Sequence, residues 1–125
     1  MTESQFTQKL LRALREAMFG STIIKHCNPL TAGVPDFTVT RESDFQSART
    51  TWCEVKLIGR KSNGSGKGMF TPLQFEMAKR LNAWYCVWNE KTKRGYLFLA
   101  REAASWQDSP ELTFAELVEK MRRMF

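Results

Sequence analysis

Apolar residues recur at helical spacing near the N-terminus of the chain, at Phe6, Leu10, Leu11, Leu14 and Met18. Thr2 and Gln5 stand before this stripe with the spacing of a capping box, so a helix is predicted to begin there. Thr71 followed by Pro72 predicts a second helix start, because proline is favoured at the first helical position. Nearer the C-terminus, two more helices are predicted, over residues 101–106 and 113–124.

β-Branched and aromatic residues predict five strands, over residues 21–27, 36–41, 51–58, 83–89 and 96–100. The polar residues 42–50 predict a turn or hairpin tip, and the glycine-rich residues 59–68 predict a flexible basic loop. A basic turn separates the last two strands, which are therefore expected to be antiparallel. The order α-β-β-β-α-β-β-α predicts an α/β fold with a mixed sheet flanked by helices.

The length and composition are those of one folded domain over residues 1–125. Of the 125 residues, 42% are hydrophobic, which supplies a core and excludes a mainly disordered chain. No apolar run approaches the roughly 20 residues of a membrane span. The polar N-terminus shows no secretory signal, so a cytoplasmic protein is expected, in the host cytoplasm if a phage encodes it. Cys27, Cys53 and Cys86 lack the spacing of a zinc motif and are expected to be buried free thiols.

The net charge indicates a polyanionic partner. Nineteen Lys and Arg against thirteen Asp and Glu give a net charge of +6, and the sequence pI is about 9.5. A basic single domain suggests binding to nucleic acid. Many small basic proteins are simply soluble, and charge alone leaves the two interpretations about equal.

The residues with the clearest chemistry lie at the start of the second predicted strand and inside the third. Asp36 begins the former, and Glu54, Val55 and Lys56 lie in the latter. Side chains alternate between faces along a strand, so Glu54 and Lys56 share a face, and pairing of the strands would bring Asp36 beside Glu54. Adjacent carboxylates repel each other, and a divalent cation removes that repulsion while leaving positions for water and phosphate. The pattern fits metal-assisted phosphodiester hydrolysis, although each half alone is more often a turn residue or a solvated strand face.

Three segments of the chain resemble the PD-(D/E)XK nuclease superfamily: GVPDF at 33–37, CEVKL at 53–57 and TPLQ at 71–74. Over residues 3–88 the chain is similar to the stand-alone VRR-NUC domains of phages and, more distantly, to archaeal-type Holliday-junction resolvases. The resemblance implies a restriction-endonuclease-like αβββαβ core and a homodimer. It also implies Mg²⁺ or Mn²⁺ bound by Asp36, Glu54 and the backbone carbonyl of Val55, with Lys56 positioning or activating water.

The same resemblance implies a further acidic residue on the first helix, for which Glu3 and Glu16 are candidates. Glu3 is in register with the apolar stripe and should face the sheet, whereas Glu16 lies on the polar flank. Glu3 is therefore preferred as a catalytic and metal-binding residue, with favourable charge at a helix N-terminus as its alternative explanation. Gln74 has two compatible interpretations, as the glutamine that lines the active site in the family and as part of a capping box.

Basic residues outside these motifs are candidates for contacts with DNA phosphates. Arg60, Lys61 and Lys67 lie in the glycine-rich loop, and Lys25 ends the first strand; a solvated linker and a solvated strand end are the competing interpretations. The loop lacks the glycine spacing of a P-loop and has Gly68 after Lys67, so no nucleotide cofactor is expected. His26 is the only histidine, which argues against a histidine metal site or a Ser-His-Asp triad.

The sequence therefore predicts a Mg²⁺- or Mn²⁺-dependent endonuclease that acts on duplex or branched DNA. Two alternatives stay open. The chain could be a DNA-binding or assembly module that keeps the fold without catalysis, or a nuclease subunit of a larger restriction or RNA-processing complex. The presence of Asp36, Glu54 and Lys56 together favours catalysis.

Overall fold

The computed structural model describes residues 1–26, 34–43, 46–59 and 71–125, and its helices and strands follow the predicted order. The helices are α1 (Glu3–Ala17), α2 (Pro72–Arg80) and α3 (Phe114–Met124). The strands are β1 (Thr22–Lys25), β2 (Phe37–Ser43), β3 (Gln46–Ile58), β4 (Trp84–Asn89) and β5 (Arg94–Leu99). A 3₁₀ segment over Ala100–Asp108 follows β5.

Each of these helices begins at a threonine whose side chain accepts a hydrogen bond from the backbone amide three residues later. The residue at that later position bonds back to the threonine amide, which completes a capping box: Thr2 with Gln5, Thr71 with Gln74, and Thr113 with Glu116. The boxes satisfy amides that have no partner within a helix. The helix starts predicted at Thr2 and at Thr71 are therefore confirmed.

The five strands of the described chain form one mixed sheet in the order β1-β2-β3-β4-β5. β1, β2 and β3 are antiparallel neighbours, β3 and β4 run parallel, and β5 returns antiparallel to β4. The parallel pair requires a crossover connection, and α2 lies within it. The predicted α/β class with a mixed sheet flanked by helices is confirmed.

Alternation along the strands gives the sheet two differently covered faces. On the first, which we call the α1 face, α1 and α3 pack on strand residues that include Phe37, Val39, Cys53, Val55 and Leu57. On the second, the α2 face, α2 and the 3₁₀ segment pack on residues that include Ile58, Tyr85, Val87 and Phe98. Glu54 and Lys56 alternate with the α1-face residues of β3 and therefore belong to the α2 face.

A β2–β3 hairpin lies where a turn or hairpin tip is predicted, over residues 42–50, but its paired strands extend further into this range than the polar pattern predicts. Thr40 pairs with Thr50 and Arg41 with Arg49, and the ladder continues beyond them to Ser43 and Gln46. A hairpin arm that is polar on both faces lacks the alternation that identifies a half-buried strand. Backbone ladder bonds hold this arm, and the Thr40 and Thr50 hydroxyls lie 3.0 Å apart.

Cys53 and Cys86 are buried free thiols, as predicted, and Cys27 lies outside the described residues. Burial raises the pKa of both thiols, so they are protonated and unreactive at neutral pH. In the described part of the chain, no helix has the length and apolar character needed to cross a membrane.

Candidate active site

The candidate site is built at an edge of β3 that β2 leaves open. The β2–β3 ladder ends where Phe37 pairs with Cys53, whereas β3 continues to Ile58 with β4 along its opposite edge. Among the described residues, no strand pairs with the β2-side edge beyond Cys53. Backbone groups point alternately to the two edges of a strand, so the Val55 and Leu57 amides face the open side and need other partners.

Two carboxylates supply those partners. The Val55 amide donates to Asp36 Oδ2 at 2.7 Å, and the Leu57 amide donates to Glu3 Oε2 at 3.1 Å. Asp36 reaches the edge because it immediately precedes β2, and Glu3 reaches it from the first turn of α1. The prediction that Glu3 faces the sheet is confirmed. Glu16 is exposed on α1, so the structure does not bring it to these carboxylates.

Glu54 is the buried member of the site, with only 4% of its surface exposed. Burial, a hydrogen bond to Asp36 and the charge of Asp36 raise the pKa of Glu54 to about 9, and the nearby Lys56 ammonium partly opposes that rise. The Asp36–Glu54 pair therefore retains a proton at neutral pH when no cation is bound. The convergence of these two carboxyl groups, predicted from strand alternation, is confirmed.

The Val55 carbonyl is a further oxygen at the same edge. The amide and carbonyl of one strand residue point to the same side, so this carbonyl faces the open edge beside Asp36. Carboxylate and carbonyl oxygens suit Mg²⁺ and Mn²⁺. Within the described ranges, no group of three or more His, Cys, Asp and Glu side chains is arranged to hold a metal ion. Mg²⁺ commonly takes one or two carboxylates and completes its shell with water and phosphate, so the donor set fits a hydrated cation.

A floor of neutral, buried groups underlies the carboxyl pair. Tyr85 is the cross-strand partner of Glu54 in the parallel β3–β4 ladder and is fully buried. Burial and the charge of Glu54 raise the pKa of Tyr85 to about 12, and burial and the charge of Asp36 raise the pKa of Cys86. Uncharged, buried surroundings have a low effective dielectric constant, so the attraction between the carboxylates and a cation is stronger there than in water. Sequence analysis does not identify Tyr85 as a neighbour of Glu54, because alternation does not reveal the register of a parallel pair.

His26 supports the site through its backbone. Its amide donates to the Asp36 carbonyl at 2.8 Å, which extends the β1–β2 pairing by one step and holds the chain at Asp36. The imidazole lies on the α2 face, where Nε2 is 3.1 Å from Thr38 Oγ1 and the ring stacks on Trp52 with centroids 5.2 Å apart.

The remaining predicted site residues have other described contacts or lie outside the described ranges. Gln74 Oε1 accepts from the Thr71 amide at 3.0 Å as part of the α2 cap, and a role in the active site stays a prediction. Lys25 pairs with Phe37 and therefore extends on the α1 face, away from Glu54. The three loop cations lie outside the described residues: Arg60, Lys61 and Lys67.

Sequence comparison adds no relative, because no protein-family model and no curated protein matches the chain. The resemblance to PD-(D/E)XK nucleases therefore stays a prediction that depends on three short segments. Function is inferred below from the chemistry of Asp36, Glu54 and Lys56.

Proposed function

We propose that this protein is a divalent-metal-dependent endonuclease that hydrolyses phosphodiester bonds in DNA. The observation that carries the proposal is the hydrogen-bonded Asp36–Glu54 pair at the open edge of β3, with Lys56 close to Glu54. Two adjacent carboxylates, of which Glu54 is buried, are electrostatically unfavourable unless a cation or a proton neutralises them. The net charge of +6 favours a polyanionic substrate.

Asp36, Glu54 and the Val55 carbonyl are the groups that would hold Mg²⁺ or Mn²⁺. When bound, the cation supplies Lewis-acid polarisation of the phosphate and lowers the pKa of a coordinated water. Glu54 must give up its proton to become a ligand, so metal loading is coupled to proton release. The Val55 amide fixes the Asp36 carboxylate in place before substrate arrives.

Lys56 supplies a positive charge beside the carboxylates. It lies close enough to Glu54 to lower the pKa of that residue, and as a protonated ammonium it is a donor and not a ligand. At this position it holds a phosphate oxygen or the attacking water and stabilises the charge that develops on phosphate in the transition state. Glu3 lies at the Leu57 amide, which is the next amide on the open edge of β3 after that of Val55. There it accepts a hydrogen bond from a water in the site.

Cleavage of DNA by the purified protein tests this proposal. Supercoiled plasmid, linear duplex and a four-way junction are each incubated with the protein in Mg²⁺, in Mn²⁺ and in EDTA. We expect cutting only with a metal ion, loss of cutting in Asp36→Asn, and normal cutting in Glu102→Gln, which makes a matched change at an exposed position of the 3₁₀ segment.

The same preparation distinguishes the proposal from a non-catalytic module. A folded protein that binds DNA but cuts no substrate with either metal would contradict nuclease function and favour the binding module. The homodimer implied by the family resemblance is a separate prediction, which light scattering on this preparation tests.

A further inference from the structure

A basic groove lies between α1 and the end of β1, on the α1 face of the sheet. Its lining residues are Gln8, Leu11, Arg12, Arg15, Glu16 and Lys25. Leu11 is buried and forms the floor, whereas Arg12, Arg15 and Glu16 are exposed and Lys25 is half-buried. The groove is therefore a concave surface with an apolar base and charged walls.

Among the residues that the structure describes, the three cations of this groove have no acidic partner. In the described part of the chain, Arg12, Arg15 and Lys25 form no ion pair, and the one hydrogen bond among them joins Arg15 Nη2 to the Ile23 carbonyl at 3.4 Å. Some cations elsewhere do have such partners: Lys93 lies 2.8 Å and Arg122 lies 2.6 Å from a glutamate oxygen. Glu16, the single carboxylate in the lining, leaves the groove with a net positive charge.

The walls of the groove belong to the same elements that carry the candidate site. Lys25 is the cross-strand partner of Phe37, the residue after Asp36. The other wall is α1, whose first residue is Glu3. A ligand in the groove therefore lies on the α1 face, beside the start of β2 that Asp36 precedes, and extends along α1.

We infer that this groove binds the sugar-phosphate backbone of duplex DNA that flanks the cleaved bond. The inference rests on the proposed nuclease function, which makes DNA the substrate, and on charge complementarity between the unpaired cations and phosphate. Arg12 and Arg15 offer guanidinium forks that match phosphate oxygens, and Lys25 adds a point charge. Such contacts fix the position of the duplex and carry no information about its sequence.

Salt-dependent binding to a fluorescent duplex tests the inference. Ca²⁺ replaces Mg²⁺ so that cutting does not interfere. Each lost phosphate contact flattens the slope of log affinity against log salt concentration by about 0.9. The triple variant with Ala at Arg12, Arg15 and Lys25 should therefore have a slope flatter by up to about 2.7. The loss should be the same for duplexes of different sequence.

A second triple variant provides a charge-matched control. Arg80, Arg101 and Arg123 are exposed, they belong to α2, the 3₁₀ segment and α3, and they are not among the residues that line the groove. Changing these three to Ala removes the same net charge. We expect the control to keep a slope close to that of the wild type.

Glu16 gives a test in the opposite direction. Glu16→Gln removes the one negative charge among the described residues of the groove lining, so DNA affinity at low salt should rise by about two- to fivefold, the range expected for one exposed charge. A purely structural role of the arginines on α1 predicts no gain in affinity from this change.

The outcomes separate the inference from the proposed function. An unchanged slope in the groove variant, or an equal loss in the control, overturns the inference even if the wild type cuts DNA. Groove-dependent binding without cutting in any metal rejects nuclease function and leaves the groove as a DNA-binding surface. If circular dichroism shows that the triple variant is unfolded, Arg12→Gln and Lys25→Gln replace it, and each should flatten the slope by about 0.9.

Discussion

Asp36 and Glu3 accept hydrogen bonds from two outward-facing amides on one edge of β3, those of Val55 and Leu57. One carboxylate precedes β2 and the other lies in the first turn of α1, so a single strand holds together two groups that are distant in sequence. Sites built on strands and helices are positioned more accurately than sites on loops. Conservative changes at these carboxylates should therefore affect chemistry more than folding.

Asp36→Asn and Glu54→Gln should each abolish metal-dependent cleavage. Removing a group that only orients a metal ligand costs about 10- to 100-fold in activity or metal affinity, so neutralising a ligand should cost more than about 100-fold. Asn retains an acceptor for the Val55 amide, and thermal melting should therefore remain close to that of the wild type. Plasmid nicking rates measure the effect, and wild-type rates in either variant would rule out the assignment.

The stability of the metal-free protein should fall as the pH rises, through Glu54. Its pKa is raised from 4.5 to about 9 in the folded protein, mainly by burial. The protonated carboxyl contributes fully to stability below about pH 4.5, and that contribution is lost as the pH rises through about 9, because the unfolded chain ionises first. Urea unfolding in EDTA at several pH values measures this trend. The urea midpoint of Glu54→Gln should vary less with pH than that of the wild type, and at alkaline pH it should be higher. The same pH dependence in both proteins would contradict the prediction.

Adding Mn²⁺ or Mg²⁺ should raise the melting temperature of the wild type at pH 8. A ligand that binds only the folded state stabilises it in proportion to the logarithm of its concentration. Metal loading should also release a proton, because Glu54 is protonated in the free site. The heat of metal binding, measured by calorimetry in two buffers with different heats of ionisation, gives the number of protons released. Glu54→Gln should show neither the rise in melting temperature nor the proton release on metal addition. A rise of wild-type size in this variant would mean that the metal binds elsewhere.

Lys56→Met should bind metal yet lose most of its cleavage activity. Methionine keeps the aliphatic volume and removes the ammonium, which donates hydrogen bonds but is no ligand. The loss of positive charge raises the pKa of Glu54 further, so Mn²⁺ affinity should weaken near neutral pH and recover at high pH. Calorimetry across this pH range, combined with single-turnover cleavage, separates the two effects. Full cleavage with wild-type metal affinity would show that Lys56 has no part in the reaction.

Glu3→Gln should reduce cleavage more than Glu16→Gln does. The Glu3 carboxylate lies at the open edge of β3, and glutamine keeps an oxygen that can accept from the Leu57 amide. Glu16 is exposed and lies on the polar side of α1. Cleavage rates at saturating DNA compare the two variants independently of binding. A greater loss in Glu16→Gln would mean that the helix contributes its other acidic residue to the chemistry.

Two side-chain placements in this site could be predicted from the local periodicity of the sequence. Helical register turned Glu3 toward the sheet, and strand alternation combined with pairing brought Asp36 beside Glu54; both relationships depend only on spacing within or between neighbouring elements. The anchoring of Asp36 and Glu3 to the Val55 and Leu57 amides was not predictable. It depends on where β2 begins relative to β3, and a loop sequence carries little information about that register.

The β2–β3 hairpin shows a second limit of pattern analysis. Residues 46–50 are polar and predicted a turn, yet they continue β3 as an extended arm paired with β2. Hydrophobic periodicity reports burial on one face of a strand. This arm is held by backbone ladder bonds and by the Arg41 and Arg49 side chains, which donate to carbonyls at the end of α3. Neither kind of contact produces a hydrophobic alternation.

The open edge of β3 also has a consequence for self-association. An unpaired strand edge with apolar side chains is a template to which a strand from another molecule can add, and Val55, Leu57 and Ile58 supply such side chains. Asp36 and Glu3 occupy the amides that an incoming strand would bond, and their negative charges oppose its carbonyl oxygens. We therefore expect Asp36 and Glu3 also to oppose edge-to-edge aggregation, and alanine at both positions to favour fibrillar assemblies that bind thioflavin T.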